Sequence, residues 1–371
     1  MCGGLINMKQ SISFILGTRP EIIKLSPLIR TCIAQNIPYT LIHTSQHYSY
    51  ELSDLIFQDL NLPKPDYNLE IGSAPHGEQT GKMLIALEPI LRKEKPSAVI
   101  VLGDPNSAFA GSLVAAKLHI PVCHIEAGRR SFDRRMPEEI NRLMIDQIAD
   151  TLFTPNEWTR ANLLREGIDE PRIILSGDPI VDAVLENAEI ASSKSSILQG
   201  LGLMWGNYFL ATLHRPENVD DEEKLSAIIS AFQKLAEEYH CPFVFPVHPK
   251  TQKKIAEYGI DTGNLLITPP QGYLDFLQLE AGCKALLTDS GSLQEEACIL
   301  QIPCITIRED TERQETVEIG ANILVPADET EILCAVSTML NRPRTWNNPF
   351  GIQGTGERIM HNIQHIYRKA T

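Results

Sequence analysis

Short apolar runs rich in β-branched residues alternate with longer helical patterns along the chain. Because the runs are apolar on both faces, they predict parallel strands that helices cover from both sides. In the first half the predicted strands are Ser11–Leu16, Tyr39–His43, Ala98–Leu102, Val122–Ile125, Thr151–Phe153 and Ile173–Leu175. In the second half they are Tyr208–Thr212, Phe243–Phe245, Leu265–Ile267, Ala285–Leu287, Cys304–Ile307 and Asn322–Leu324. The alternation indicates a doubly wound α/β fold, and twelve strands indicate two sheets rather than one.

Two stretches near the middle of the chain have the composition of an interdomain connection. Ala188–Ser196 is small and polar, and Gly200–Gly206 contains three glycines. We therefore predict a Rossmann-like domain over residues 1–187 and a second over residues 188–354. The apolar periodicity of the last segment predicts a helix over residues 355–371 that crosses back onto the first domain.

Composition narrows the class of protein further. Hydrophobic residues make up 43% and charged residues 22% of the 371 positions, which suits packed domains and not a disordered chain. The formal net charge of −14 argues against a nucleic-acid binder, because phosphate backbones attract Lys and Arg. A phosphate-bearing small ligand stays compatible, since it needs only a few local cations and helix ends.

The eight cysteines and the apolar segments bear on the cell compartment. No cysteine pair has CxxC spacing and none clusters with histidines at zinc-ligand spacing, so we predict reduced, buried thiols and no metal site. No apolar run approaches the roughly 20 residues of a membrane helix. Met1–Lys9 has no signal-peptide pattern, and we predict a cytoplasmic protein without a membrane partner.

One turn between a strand and a helix has the features of a phosphate site. Ligands of open α/β sheets bind at the carboxyl ends of strands, where Leu286–Glu296 places a Ser-Gly-Ser turn that opens a helix. Free backbone N–H groups at Ser290 and Gly291 would form an anion cradle, and Glu296 would reach a ribose diol. An ordinary Ser-capped helix is the alternative.

Cationic side chains follow several predicted strands. Arg19 and Lys24 follow the first strand, His214 and Arg215 follow the first strand of the second half, and Arg313 follows a later one. Each by itself is more often a surface cation than a ligand. Their placement at equivalent strand ends of an acidic chain indicates a pyrophosphate ligand.

Carboxylates supply the candidate acid–base chemistry. Asp104 and Glu126 end two neighbouring predicted strands. A carboxylate there is poorly hydrated, and a second one nearby raises one of the two pKa values, which gives an acid–base pair usable near neutral pH. Glu138 and Glu139 follow Pro137 at a predicted helix start, where acids often serve only the helix dipole.

Taken together, the ordered motifs resemble the non-hydrolysing UDP-N-acetylglucosamine 2-epimerase family over nearly the whole chain. The motifs that carry the resemblance are Gly17–Glu21, Gln46-His47, Gly103-Asp104, His124–Gly128, Pro137–Arg142, His214–Asn218, Pro246–Pro249, Asp289–Glu296 and Thr311–Arg313. The resemblance implies two Rossmann-like domains of GT-B type facing across a cleft. It also implies interconversion of UDP-N-acetylglucosamine and UDP-N-acetylmannosamine through 2-acetamidoglucal, for polysaccharide precursors, by a homodimer that needs no cofactor.

The same resemblance implies a set of site residues. The residues implied in catalysis are Asp104, Glu126, Glu138 and His214. The residues implied in UDP-sugar binding are Arg19, Lys24, Gln271, Phe276, Ser290, Gly291, Glu296 and Arg313, with Gln271 and Phe276 at the uracil. A second, activating UDP-sugar site is matched in part by Gln46, Arg215 and His248, although Ser49 replaces a usual amide.

Four positions depart from the family pattern, and other functions stay open. Pro105 replaces a usual Thr, Arg129 a usual Leu, Asp178 a usual Asn and Gln314 a usual Pro. Arg129 and its altered turn leave room for a related, further-modified UDP-N-acetylhexosamine. The remaining alternatives are a GT-B glycosyltransferase, a hydrolysing 2-epimerase that releases N-acetylmannosamine, and a non-catalytic sugar-nucleotide sensor. Three carboxylates at one cleft favour elimination and re-addition over the glycosyltransferase, and the presence of both Asp104 and Glu126 counts against the sensor.

Overall fold

The computed structural model describes residues 11–46 and 50–367, with the side chains of residues 50–54 left out. The motif residue His47 and the departure at Ser49 therefore lie outside the described residues. The chain divides into two compact units. Unit 1 runs to Ala183 and resumes at Phe350, and unit 2 is Val184–Pro349.

Strands and helices alternate through both units. The strands are β1 (Ile12–Leu16), β2 (Tyr39–His43), β3 (Tyr67–Asn68), β4 (Ala98–Leu102), β5 (Val122–Ile125), β6 (Thr151–Thr154), β7 (Ile173–Leu175), β8 (Phe209–Thr212), β9 (Phe243–Pro246), β10 (Leu266–Thr268), β11 (Ala285–Thr288), β12 (Cys304–Ile307) and β13 (Asn322–Val325). The helices are α1 (Arg19–Ala34), α2 (Tyr50–Asp59), α3 (His76–Glu94), α4 (Asn106–Lys117), α5 (Pro137–Ile148), α6 (Glu157–Arg165), α7 (Ile180–Lys194), α8 (Ile197–Gly200), α9 (Pro216–Val219), α10 (Glu222–Glu238), α11 (Pro249–Glu257), α12 (Tyr273–Gly282), α13 (Gly291–Ile299), α14 (Gln314–Glu318), α15 (Glu329–Leu340) and α16 (Thr355–Tyr367). Every predicted strand is present, and β3 is an addition.

Both sheets are parallel and doubly wound. Unit 1 has the strand order β3-β2-β1-β4-β5-β6-β7, and unit 2 has the order β10-β9-β8-β11-β12-β13. This is the Rossmann order, in which the direction of winding reverses between β1 and β4 and again between β8 and β11. The predicted α/β class with two Rossmann-like sheets is confirmed.

The strands form because their side chains are buried on both faces. All residues of β1 and β4 are buried in unit 1. In unit 2, Phe232 of α10 stacks on Phe243 of β9 with ring centroids 4.5 Å apart. Full burial of one such side chain contributes roughly 1.5–3 kcal/mol, so these layers hold the strand ends in place.

The last helix, α16, belongs to unit 1 and packs on α1. The two helices lie so close that a Cβ added at Gly356 would be 3.0 Å from Cβ of Pro27. Asp182 fixes the start of α16 by accepting the backbone N–H groups of Gly354 and Gly356, each at 2.7 Å. The units divide after Ala183 and after Pro349, and α7 runs through the small polar stretch that suggested an interdomain connection.

Two further observations concern apolar segments and thiols. Among the described residues, no helix combines the length and the apolar character needed to cross a lipid bilayer. The seven cysteines of this part of the chain are free thiols, and all but Cys334 are buried.

Candidate active site

In unit 1 the candidate residues gather where the winding of the sheet reverses. β1 and β4 are neighbours, and the chain leaves them toward opposite edges of the sheet, so a crevice forms beyond their carboxyl ends. Arg19 begins α1 shortly after β1, and Asp104 follows β4. Both side chains are half-buried, which leaves them accessible to a ligand at this edge.

A buried carboxylate shapes the turn between β1 and α1. Oε2 of Glu21 accepts the backbone N–H groups of Gly17 at 2.9 Å and Thr18 at 2.8 Å. The hydroxyl of Ser107 on α4 donates to the same carboxylate at 2.9 Å. Burial raises the pKa of Glu21 to about 7, against the effect of these hydrogen bonds. The turn that carries Arg19 is thereby tied to the helix that follows Asp104.

Glu126 follows β5 in a strained backbone conformation. Its φ of 65° lies in the left-handed region, which costs a non-glycine residue on the order of 1 kcal/mol. Its Oε1 accepts a hydrogen bond from Nζ of Lys24 at 2.5 Å, and both side chains are less than one-tenth exposed. Gly103 makes room for the carboxylate, because a Cβ there would lie 3.4 Å from Oε2. A strained, buried and charged residue at a sheet edge indicates a functional position.

Two side chains of α5 hold Asp104. The guanidinium of Arg142 forms an ion pair with the Asp104 carboxylate, and Nδ2 of Asn141 donates to its backbone carbonyl at 2.9 Å. Arg142 also donates to Glu139 at 2.8 Å, and the Glu139 carboxylate accepts two backbone N–H groups of the preceding loop. Asp104 and Glu126 therefore each meet a cation of their own.

Glu138 and Glu139 have different surroundings although they are adjacent in the first turn of α5. Glu139 is buried and engaged in the loop, as described above. Glu138 is half-buried, and the structure shows no hydrogen bond or ion pair between its carboxylate and any described residue. Of the two acids, Glu138 is the one whose carboxylate is partly accessible to solvent and to a ligand.

In unit 2, Asp289 organises the reversal between β8 and β11. It follows β11, is fully buried, and accepts the backbone N–H groups of His214 at 3.0 Å and Arg215 at 2.9 Å. Nδ1 of His214 lies 2.8 Å from Oδ1 of Asp289, and the side chain of His214 is 48% exposed. Burial alone would raise the pKa of Asp289, but hydrogen bonds and charge from His214 hold it below its ordinary value. The loop after β8 is therefore fixed to the loop after β11.

The Ser290–Gly291 turn opens α13, where the first backbone N–H groups have no partner within the helix. The N–H of Ser290 itself donates to Oγ1 of Thr288 at 3.0 Å, so the prediction that this group is free was wrong. Both residues are half-buried, so an anion can approach them. Two α13 side chains hold the loop that carries Arg313. Glu295 forms an ion pair with Nε of Arg313 at 2.7 Å, and Gln294 accepts the hydroxyl of Thr311 at 2.6 Å. The predicted cation is thus anchored to the predicted anion cradle.

The other residues predicted to bind the nucleotide lie on or beside α12 and α13. Glu296 is buried on α13 and faces the carboxyl group of Glu280 on α12. Phe276, also on α12, is half-buried against the core of unit 2. Gln271 precedes α12, and its side-chain amide donates to the carbonyl of Pro269 at 2.6 Å. Unit 2 thus carries these three residues on adjacent elements.

The three residues of the predicted second UDP-sugar site make local contacts. Gln46 is buried in unit 1, where its Oε1 accepts the backbone N–H of Ser107 at 3.2 Å. In unit 2, Nε of Arg215 donates to the carbonyl of Asp289 at 3.0 Å. His248 is exposed and accepts a backbone N–H in the first turn of α11 at 3.3 Å. These contacts orient each residue, and the second site stays a prediction.

Sequence reasoning missed the residues that support the candidates. Arg142 and Asn141 reach back from the second turn of α5 to Asp104, a contact that only the tertiary fold creates. Gln294 and Glu295 are polar but fully buried on α13. Their only sequence signal was charge and polarity in an otherwise apolar helix that follows a buried strand.

Comparison with known proteins identifies the family. Residues 31–364 match the family described as UDP-N-acetylglucosamine 2-epimerase. The chain is 51% identical over 356 residues to the UDP-N-acetylglucosamine 2-epimerase of Methanocaldococcus jannaschii, covering 94% of this chain and 97% of that protein. It is 40% identical over 331 residues to the UDP-2,3-diacetamido-2,3-dideoxy-D-glucuronate 2-epimerase of Pseudomonas aeruginosa, covering 88% and 92%.

A solved structure supports the same assignment. The crystal structure of Methanocaldococcus jannaschii UDP-GlcNAc 2-epimerase in complex with UDP-GlcNAc and UDP matches with a TM-score of 0.83 at 51% identity. The match covers 96% of this chain and 99% of that chain. By sequence and by fold, the chain belongs to the UDP-N-acetylglucosamine 2-epimerase family.

Proposed function

We propose that the protein is a non-hydrolysing UDP-N-acetylglucosamine 2-epimerase that supplies UDP-N-acetylmannosamine for cell-surface polysaccharide. Family membership and the activity named for the Methanocaldococcus jannaschii relative support the substrate. The main structural support for the chemistry is the buried ion pair between Lys24 and Glu126. Glu126 has a strained backbone conformation and lies at the carboxyl edge of the unit 1 sheet.

The proposed reaction couples removal of the C2 proton to departure of UDP. The C2 proton is not adjacent to a carbonyl, so its removal by itself is too costly. A carboxylate takes the proton while the C1–O bond breaks, and UDP leaves with the bonding electron pair. The neutral intermediate is 2-acetamidoglucal. UDP then adds back to C1 while an acid delivers a proton to the opposite face of C2, so the reaction consumes neither water nor electrons.

The site residues divide naturally between these two tasks. Asp104, Glu126 and Glu138 are the proposed acids and bases, and a cation lies beside each of the first two. Negative charge grows on the departing diphosphate in the transition state, where fixed donors are most effective. The proposed donors to the diphosphate are Arg19, Lys24, His214, Ser290, Gly291 and Arg313. Gln271 and Phe276 hold the uracil in this proposal, and Glu296 holds the ribose.

The decisive experiment follows the substrate in deuterated water. The protein is incubated with UDP-N-acetylglucosamine, and the mixture is monitored by proton NMR. We expect deuterium at C2 and a UDP-manno product, with little free UDP. Rapid release of free sugar would instead identify a hydrolysing enzyme, acceptor-dependent UDP release a glycosyltransferase, and binding without any exchange a sensor.

A variant pair tests whether the acids do the chemistry. Asp104→Asn should lower the rate of C2 exchange by at least about 100-fold, because a positioned general base contributes about 10²–10⁴-fold. UDP binding, measured by calorimetry, should persist. Glu170→Gln alters an exposed ion pair with Arg160 and is the matched control. Exchange at the parental rate in Asp104→Asn would refute this assignment.

A second candidate substrate is UDP-2,3-diacetamido-2,3-dideoxy-D-glucuronate. The Pseudomonas aeruginosa relative named for that sugar is 40% identical over 88% of this chain. The chemistry at C1 and C2 is common to both sugars, so the same acids would serve. Competition between equal concentrations of the two substrates decides the question, because the ratio of products gives the ratio of the two kcat/KM values.

A further inference from the structure

Two of the four residues that depart from the family pattern, Arg129 and Asp178, contact each other in unit 1. An Nη nitrogen of Arg129 donates to Oδ2 of Asp178 at 2.6 Å. Asp178 is fully buried, and the side chain of Arg129 is 13% exposed. An ion pair with so little solvent around it is strongly coupled, because removing either charge takes a close opposite charge away from the other.

Asp178 is rigidly held on its other side. Its Oδ1 accepts the backbone N–H of Ile180 at 3.0 Å, in the first turn of α7. Its own backbone N–H donates to the carbonyl of Phe350 at 2.9 Å. Because both its carboxylate and its main chain are fixed, Asp178 is an anchor for the guanidinium of Arg129.

The anchored guanidinium faces Glu126. Nε of Arg129 lies 3.6 Å from Oε1 of Glu126, the same oxygen that accepts the hydrogen bond from Lys24 at 2.5 Å. Oε2 lies on the side of Gly103, the residue before Asp104. Within unit 1, the charged side chains near Glu126 include Lys24 from α1 and Arg129 from the loop after β5. A carboxylate oxygen of Asp178 also lies within 4.8 Å of one on Glu126.

We propose that Asp178 and Arg129 are positioning residues that set the orientation and charge of Glu126. Asp178 fixes Arg129, and Arg129 together with Lys24 holds Oε1, which directs Oε2 toward the Gly103–Asp104 turn. Oε2 of Glu126 is thereby placed to accept the C2 proton. The kinetic part of this inference rests on the proposed epimerase function, whereas the charge of Glu126 can be measured without substrate.

A double-mutant cycle tests the coupling. The variants are Arg129→Met, Asp178→Asn and the combination of both, with Arg160→Met on the surface as the control. The first readout is the carboxyl carbon signal of Glu126 across pH, in substrate-free protein labelled with ¹³C at glutamate side chains. The Glu126→Gln variant identifies that signal. The second readout is the pH profile of kcat/KM for C2 exchange.

The expected order of effects is specific. Arg129→Met removes a cation and leaves Asp178 as a buried anion near Glu126. The midpoint of the Glu126 titration should therefore move up by about one pH unit, a tenfold change in proton affinity. The acid limb of the kcat/KM profile should move by the same amount. The double variant should move less, because both charges are gone. Asp178→Asn should lower kcat by about tenfold, because the position of Arg129 loosens. It should not move the titration of Glu126 upward, because the cation stays and only a neighbouring anion is lost.

The two readouts separate the two hypotheses. If the parent does not exchange C2, the proposed function fails, and the carbon titration still tests the positioning role. If Glu126 titrates alike in the parent, Arg129→Met and the double variant, the positioning role is refuted whatever the activity. If Arg129→Met fails to fold because Asp178 is left buried without a cation, the double variant carries the comparison with the parent.

Discussion

Nδ1 of His124 lies 2.6 Å from Oδ1 of Asp146, and this buried pair supports the edge of the unit 1 sheet where the candidate acids stand. Nε2 of His124 lies 2.9 Å from the carbonyl oxygen of Gly103, the residue before Asp104. Both ring nitrogens thus face oxygen atoms of neighbouring elements, and the two contacts hold the ring between α5 and the Gly103 turn. Arg130 donates to the second oxygen of Asp146 at 2.6 Å.

The first prediction concerns Asp146→Asn. Burial alone would raise the pKa of Asp146, but His124 and Arg130 hold it below its ordinary value of 3.8. The carboxylate therefore stabilises the fold above about pH 4, and this stabilisation is lost as the pH falls through the folded-state pKa. We expect the variant to lose about 3 kcal/mol at pH 7, because it removes one of the two carboxylates that pair with the buried Arg130 side chain. Urea unfolding at pH 7 measures the loss.

Asp169→Asn, on the surface before the Glu170–Arg172 turn, serves as the control for Asp146→Asn and should change stability little. Equal unfolding free energies for Asp146→Asn and the parent would contradict the charge network.

The second prediction concerns the acid behind the proposed ribose contact. Glu280 is fully buried, no donor among the described residues reaches its carboxylate oxygens, and the group that faces it is another carboxyl, on Glu296. Burial first, and the charge of Glu296 second, raise the pKa of Glu280 well above 4.5. Cys283 and Cys304 are the other titratable neighbours, and both thiols also have raised pKa values.

The sign of the pH dependence follows from this shift. Below about pH 4.5, Glu280 is protonated in both the folded and the unfolded protein. Above that pH, the unfolded chain releases the proton, whereas the folded chain keeps it. The parent should therefore lose up to about 1.4 kcal/mol of unfolding free energy per pH unit until the folded-state pKa is reached. Glu280→Gln removes this loss, so its stability relative to the parent should increase from pH 5 to pH 8. Parallel stability curves in urea unfolding would refute the argument.

The sheets could be predicted from sequence because their strands are buried on both faces, which leaves an unbroken apolar run. The pattern fails for β3, whose two half-buried residues, Tyr67 and Asn68, form no such run. It also fails at Ala188–Ser196, where small polar residues suggested a linker although α7 continues to Lys194. Both errors arise because tertiary packing, not local composition, decides the structure of short or weakly apolar segments.

The acids of the candidate site could be predicted from the sequence, but the side chains that contact them could not. Asp104 and Glu126 follow strands, and the edge of a parallel sheet is where ligands bind, so position alone singled them out. Nothing local links Arg142 to Asp104 or Lys24 to Glu126, because those partners are far apart in the chain. The sequence argument expected the two acids to act on each other, whereas the fold gives each of them a cation.

The third prediction concerns Arg142, which bridges Asp104 and Glu139. Arg142→Met should lower kcat for C2 exchange by at least about tenfold, since loss of the guanidinium frees the orientation of the Asp104 side chain. KM should change less, because the nucleotide is proposed to bind through other residues. Arg135→Met, which removes an exposed pair with Asp133, is the matched control. A rise in KM with unchanged kcat would show that Arg142 binds substrate instead.

The fourth prediction compares two glycines at the two strand–helix turns. A Cβ at Gly17 would lie 2.1 Å from Oγ1 of Thr44, inside the folded chain, whereas a Cβ at Gly291 would meet nothing closer than 3.7 Å. Gly17→Ala should therefore destabilise unit 1 by about 1–3 kcal/mol or more, through the clash with a buried strand end. Gly291→Ala should fold as the parent does.

The same pair separates folding from ligand binding. Gly291 opens α13, where the proposed diphosphate meets backbone N–H groups, so an added methyl group there should weaken UDP binding by about tenfold without lowering the unfolding temperature. Differential scanning fluorimetry with and without UDP gives both quantities for both variants. If Gly291→Ala binds UDP as tightly as the parent, the anion does not approach the helix at this residue. If Gly17→Ala unfolds at the parental temperature, the β1–α1 turn is looser than the contact with Thr44 requires.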